Sequence, residues 1–497
     1  MSPKNQLQDT FRDKMYLSRL GRHCIIMLLF FSLVAHAKVY YVSSKGSDAN
    51  DGQSPETSWQ TLERVNAAPF KPNDVIRFKR GDTWRGQLIP HSGDETGHIT
   101  YAAYGHGPKP LLLGSAPANQ PNDWQQQQEN IWSTASTFPM DVGNIIFNGG
   151  KSCGVKKWSP DDLKQQEDFW YNRQTKRVIM YCPKNPATIY AGIELALMQH
   201  IIPVKGKSYI IFNDLDLRYG AAHGIGCSNA HHMIISHCDF SYIGGGHQAS
   251  RPDGRPVRYG NGVEFWYNAH DALVEKCRLW EIYDAALTNQ NSEPKCKQYN
   301  ITYRQNLIWN CEYSFEYWNQ PENSLTYNIY FDNNTCVNAG TCWGHNQRPD
   351  PSGRHLCFYG SNAPAHDIYI RNNIFFKATG NALFAHTWST DQINQLTMDH
   401  NCWYQSTGIM IRLKSQQFST QQFKSYQTTL NKDIHSIFQD PLFVNLAQPD
   451  FHLKPGSPCI DAAENLGLKT DIDGTIIPQG TAPDIGAYES PHNVPAN

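Results

Sequence analysis

The chain has 497 residues, with 43 Lys plus Arg against 45 Asp plus Glu, a net charge of −2. That near balance, without a basic tract, excludes a nucleic-acid partner recognised by charge. Aromatics make up 12%, including 13 Trp and 25 Tyr, a stock of flat apolar faces suited to sugar rings as well as to a core.

In chain order, residues 1–37 are expected to be an export leader. Arg19, Arg22 and His23 flank the apolar run Ile25 to Val34, and Ala35-His-Ala37 is a small-x-small cleavage pattern. Met15 is an alternative start within it. The run is too short for an ordinary membrane span. The mature chain would start at Lys38 and be secreted or periplasmic, without a membrane span, and monomeric. Export permits disulfides among the 12 cysteines left after Cys24 departs, with Cys336 and Cys342 one possible pair.

Residues 38–118 read as an N-terminal cap and first coils. Val39–Val42, Val75–Phe78, Trp84–Ile89 and Ile99–Tyr104 are expected strands, and Ser58 to Ala67 a short capping helix. Residues 119–190 break that rhythm and suggest a small antiparallel β insertion, with a hairpin turn at Thr175-Lys176. Residues 191–412 are the main repeat region. Residues 413–497 are C-terminal coils and a cap, with a helix expected over Ser419 to Leu430.

The repeat is a short period-2 strand, a polar turn, an anchor residue and a second apolar run. Its anchors are Leu215, Cys238, Cys277, Asn306, Asn334, Asn373 and Asn401, spaced by 23, 39, 29, 28, 39 and 28 residues. A fixed unit with variable insertions indicates a β-solenoid. Stacked coils place equivalent residues about 4.8 Å apart. The four Asn anchors therefore read as a structural amide ladder at a corner where left-handed backbone is tolerated. Cys238 and Cys277 would extend that column.

These repeats resemble those of the right-handed parallel β-helix proteins of the pectin-lyase-like superfamily. The opening Tyr40-Tyr-Val-Ser-Ser-Lys-Gly-Ser-Asp-Ala-Asn-Asp-Gly52 and the closing Asp440-Pro-Leu-Phe443 and Asp484-Ile-Gly-Ala-Tyr-Glu489 add to the likeness. The resemblance implies an all-β chain, a single solenoid with short capping helices. It leaves the reaction open, because this fold hosts lyases, hydrolases, isomerases and non-catalytic proteins.

Candidate chemistry follows from strand parity. Gly262-Val-Glu-Phe-Trp266 and Ser314-Phe-Glu-Tyr-Trp318 match closely. With Val263, Phe265, Phe315 and Tyr317 inward, Glu264, Trp266, Glu316 and Trp318 face outward on one sheet. The two glutamates should lie two coils apart, about 9.5 Å at the backbone. Inverting glycosidases hold an acid and a base carboxyl about 6.5–9.5 Å apart. Asp284, on the intervening coil, is a third carboxylate or a pKa tuner. Trp266 and Trp318 would stack on sugars.

The insertions Tyr242 to Tyr259 and Gly340 to Arg354 are long loops on a rigid scaffold, where function concentrates. His345, Arg348, Arg354 and His355 would bind a uronate, since Arg pairs bidentately with carboxylates. His223, His247, His386 and Arg412 read as structural first. No metal is firmly implied. Asp48, Asn50 and Asp51, or Asp471 and Asp473, are Ca²⁺ hints for which ordinary turn chemistry is the simpler reading.

The expected partner is thus a polysaccharide or oligosaccharide. Paired-carboxylate hydrolysis of an acidic or decorated polysaccharide is the leading expectation. The alternatives are β-elimination, with Arg348 or Arg354 as base, and a non-catalytic glycan platform.

Overall fold

The computed structural model describes residues 37–491. The expected leader and Met15 lie outside them, save Ala37. The chain forms a right-handed parallel β-helix whose coils build three long sheets. The first, of ten strands, runs from Val39–Val42 to Leu396–Asp399. The second, of nine, runs from Ile202–Lys205 to Gln416–Ser419, and its last pair is antiparallel. The third, of ten, runs from Thr83–Arg85 to Ile437–Phe438.

One apolar residue in two faces the interior, so each coil delivers Ile, Val, Leu or Phe to one continuous core. Each such side chain contributes about 1.5–3 kcal/mol by leaving water. The expected helices appear as Leu62–Asn66, capped by the Thr61 hydroxyl, and as Phe423–Leu430. The expected strand Trp84–Ile89 stops at Arg85, where Gly86 takes φ +108.

Asn306, Asn334, Asn373 and Asn401 form the expected ladder. Each is fully buried, and each Nδ2 donates to the next Oδ1 at 2.9, 3.1 and 3.0 Å. The left-handed backbone belongs to the preceding residues Gln305, Asn333, Asn372 and His400, with φ of 52–57. The anchors themselves keep ordinary geometry, and their amides serve the neighbouring coils. The column continues through Cys277, whose N–H donates to Asn306 Oδ1 at 3.0 Å.

All 12 described cysteines are free thiols, so the Cys336–Cys342 bridge is absent. Cys336 lies in the core, while Cys342 Sγ lies 3.9 Å from Glu312.

Between Ile99–Tyr104 and Ser208–Asn213, paired neighbours in the first sheet, the chain leaves the solenoid and returns. The excursion forms a mostly antiparallel insertion of a four-stranded and a five-stranded sheet around its own core. A second excursion is the hairpin Gly246–Ser250 with Pro256–Tyr259. The insertion packs on outward residues of the third sheet, among them Leu113 and Tyr242, and the hairpin stands beside the outer face of the nine-stranded sheet.

Candidate functional site

The nine-stranded sheet carries the two matched strands, Val263–Trp266 and Tyr313–Asn319. Val263, Phe265, Phe315 and Tyr317 are in the core, so the expected parity is the one observed. In register, Gly226, Glu264, Thr288, Glu316 and Cys357 form one outward column. Glu264 and Glu316 are thus two strand steps apart, about 9.6 Å at the backbone.

The column floors a cleft of about 870 Å³. Tyr259 and Val257 of the hairpin line its wall, and Arg348 of the Gly340–Arg354 insertion reaches in. Glu264, Glu316, Asp284, Trp266, Trp318 and Arg348 therefore share one cavity. Trp266 and Trp318 stack on each other at 6.0 Å across the intervening Gln290.

The carboxyls occupy different environments. Glu264 is 8% exposed and its Oε2 lies 2.6 Å from His223 Nε2. The backbone N–H of Asn261 donates to His223 Nδ1 at 3.0 Å, so Nδ1 carries no proton. Nε2 is then the nitrogen that donates to Glu264.

Glu316, 6% exposed, has a buried Oε2 with no hydrogen-bond partner. Burial, then the charge of Asp284, push its carboxyl well above the usual carboxylate range, against the pull of Arg348. The two carboxyls thus differ in partners, and burial favours the neutral form of Glu316.

Burial also raises Asp284, with Arg348 opposing the shift. Arg348 Nη2 donates to Asp284 Oδ1 at 3.2 Å and Nη1 to the Tyr283 carbonyl at 2.7 Å. Its Nε faces Glu312 at 3.6 Å. The loop carrying it is tied down next door. Gln347 Oε1 accepts from the Lys156 N–H of the insertion and from Arg258 of the hairpin. The buried Arg258 in turn donates to the carbonyls of Gly245 and Gly143.

Three expected substrate-binding residues are not in the cleft lining. His355 points into the core beside Phe375, bonds to Ser314 at 3.0 Å, and burial pushes it down to about 3. His345 turns onto Glu312 at 2.8 Å, a contact that fixes its loop. Arg354 lies 3.8 Å over the Phe384 ring and donates to Cys357 Sγ at 3.3 Å.

Conversely, His223 proves to touch Glu264, and Glu312 and Tyr359 had not been singled out. The fully buried Glu312 anchors His345, Arg348 and the Ser352 N–H. Tyr359 lines the cleft and bonds to the Tyr313 hydroxyl at 3.0 Å. Aligning Gly224-Ile225 with Gly262-Val263 would have set His223 beside Asn261, one residue from the glutamate strand.

The Ca²⁺ hints resolve into turn hydrogen bonds. Asp48 Oδ1 accepts from the Gln60 and Thr61 N–H groups, and Asp471 from those of Asp473, Thr475 and Glu489. Two other groups, His232 with His270 and Asp271, and Asp399 with His400 and His435, bring three ligand-type atoms within 4.8 Å. Neither group lines the cleft.

No family model and no curated protein matches the sequence. Among solved structures, the chain is similar to a glycoside hydrolase at 11% identity, covering 76% of this chain and 95% of that one, with a TM-score of 0.42. It is similar to the pectate lyase Pel9A at 13% identity, covering 91% and 96%, with a TM-score of 0.37. A third likeness is to the GH136 lacto-N-biosidase of Eubacterium ramulus, at 13% identity over 76% and 65%, with a TM-score of 0.39. No residue role is carried over from these proteins. No helix among the described residues is long and apolar enough to cross a membrane.

Proposed function

We propose that the chain is an exported carbohydrate-active enzyme that hydrolyses glycosidic bonds in an acidic or decorated polysaccharide. The observation that carries this reading is the pair Glu264 and Glu316. They face one cleft two strand steps apart, Glu264 bonded to His223 and Glu316 with a buried oxygen that has no partner. Glu264 takes a proton from a water as that water attacks the anomeric carbon. Glu316 gives its proton to the glycosidic oxygen as the bond to carbon breaks and the electron pair leaves with the oxygen. After turnover the proton gained by Glu264 passes to solvent and Glu316 is reprotonated. Two side chains rooted two strand steps apart can bring their carboxyls to the inverting separation, where a water fits between carboxyl and sugar. Trp266 and Trp318 supply the apolar wall, and Arg348 a fixed positive charge for a sugar carboxylate.

The same geometry weighs against elimination by an arginine base. Arg348 is clamped by Asp284 and Glu312, which stabilise its proton, and Arg354 is outside the cleft lining. The test is turnover of a panel of uronate-containing and neutral polysaccharides, with reducing ends and ultraviolet absorbance recorded together. Hydrolysis raises reducing ends alone. An unsaturated product absorbing in the ultraviolet would replace this reading with elimination. Full activity of Glu316→Gln on a proven substrate would remove the acid assignment.

A further inference from the structure

A second groove lies on the other side of the hairpin, between it and the β insertion. A bulge between His247 and Ala249 divides the hairpin strand: Gln248 lines the catalytic cleft, while His247 and Ser250 line this groove of about 480 Å³. A third depression, of about 540 Å³, shares Asp141, Tyr171, Arg173 and His247 with the groove and Gln248 with the cleft. The three form one path around the hairpin.

The groove has the chemistry of a binding site. Trp158 is 41% exposed, and it is the only exposed tryptophan among the described residues. One side of its ring meets Lys156 Nζ at 5.3 Å and the His247 ring at 5.0 Å. Its open face is a platform on which a sugar ring can stack. Trp170 lines the same groove, on the outward side of the strand Asp168–Asn172.

The charge is positive. Asp141 is consumed by the buried Lys156, whose Nζ lies 2.7 Å from Oδ1, and by the His247 N–H at 2.8 Å. Lys157 faces Asp168 at 3.1 Å. Arg173 is exposed and donates to His247 Nδ1, and no described carboxylate lies within 4.0 Å of its guanidinium. Lys176 stands further along the path. A guanidinium with no carboxylate partner beside an open indole suits a sugar ring that carries an anionic group.

We propose that this groove is an accessory site for an anionic glycan chain, a uronate polymer whose next stretch occupies the cleft. This rests on the hydrolase reading for its ligand class. The experiment is native gel electrophoresis of the mature chain through polygalacturonate, alginate, carrageenan or neutral galactan. Retardation is expected in a uronate gel and not in galactan. Trp158→Ala and Arg173→Gln should each weaken it about tenfold, because stacking and charge act together. Glu316→Gln should be retarded like the wild type.

Absence of retardation in both uronate gels, or equal retardation of Trp158→Ala, Arg173→Gln and wild type, would overturn the proposal. Retardation by carrageenan alone would assign a sulfate ligand and overturn the uronate. The two readings fail separately. An inactive Glu316→Gln with unaffected Trp158→Ala retardation leaves the hydrolase and removes the accessory site. A fully active Glu316→Gln whose retardation is lost on adding Trp158→Ala does the reverse.

Discussion

Two columns of buried polar side chains run along this solenoid and end in opposite states. In the asparagine ladder every amide is matched. Asn334 Oδ1 accepts from the N–H and Nδ2 of Asn306, and its own Nδ2 donates to Asn373 and to the Tyr303 carbonyl. In the glutamate column Glu264 has a donor in His223, and Glu316 keeps a buried oxygen with no partner. Burial of polar groups is tolerated when they are satisfied, so an unsatisfied one calls for a separate account. In the proposed function that account is chemistry: a proton held on Glu316 and ready to leave.

The sharpest way to break the comparison is Glu316→Gln, which keeps the shape and removes the proton. Its kcat/KM should fall about 10²–10⁴-fold, the usual worth of a general acid, on whichever polysaccharide is turned over. Circular dichroism should be unchanged. Next comes Asn334→Ala in the ladder. It leaves Asn306 N–H and neighbouring carbonyls buried without partners, at a cost of roughly 2–4 kcal/mol. Chemical denaturation should show that loss, while kcat/KM of the remaining folded enzyme stays at the wild-type value.

A smaller effect is expected at His223. Its Nε2 lies 2.6 Å from Glu264 Oε2, so His223→Ala should loosen that carboxyl and lower kcat/KM. The loss should be about tenfold, with His223→Gln, which keeps a donor, restoring much of it. In the pH profile of kcat/KM the basic limb belongs to Glu316 and should lie above the ordinary carboxylate range. The smallest effect concerns stability. Glu316 has a raised pKa in the folded state, so the stability it contributes is fully present below the unfolded value of about 4.3. It is lost as pH rises through the folded value. Glu316→Gln should therefore melt progressively higher than wild type as pH increases across that interval, which calorimetry at several pH values would register.

The parts legible in the sequence are those governed by a period. Parity in a strand is a choice between two faces, and Val263 and Phe265 decided it for Glu264. Coil spacing did the same for the ladder and for the two-step separation of the glutamates. What escaped lies at corners and in loops, where period 2 fails. His355 and Leu356 are consecutive in the strand Arg354–Phe358 yet both buried, and both of their N–H groups donate to the Ala382 carbonyl. The placement of His345 and Arg348 depends on Glu312, a contact between a loop and a distant coil that no local pattern encodes. His223 was visible as a residue, but its role required knowing that Asn261 donates to its Nδ1.

The central claim is that Glu316 is a protonated acid at neutral pH. Infrared difference spectroscopy of wild type against Glu316→Gln at pH 7 tests it without any substrate. The account predicts a protonated carboxylic-acid carbonyl band in the wild type that disappears in Glu316→Gln. A difference spectrum showing loss of a carboxylate band instead would mean that Glu316 is ionised, and would contradict the assignment of acid and base.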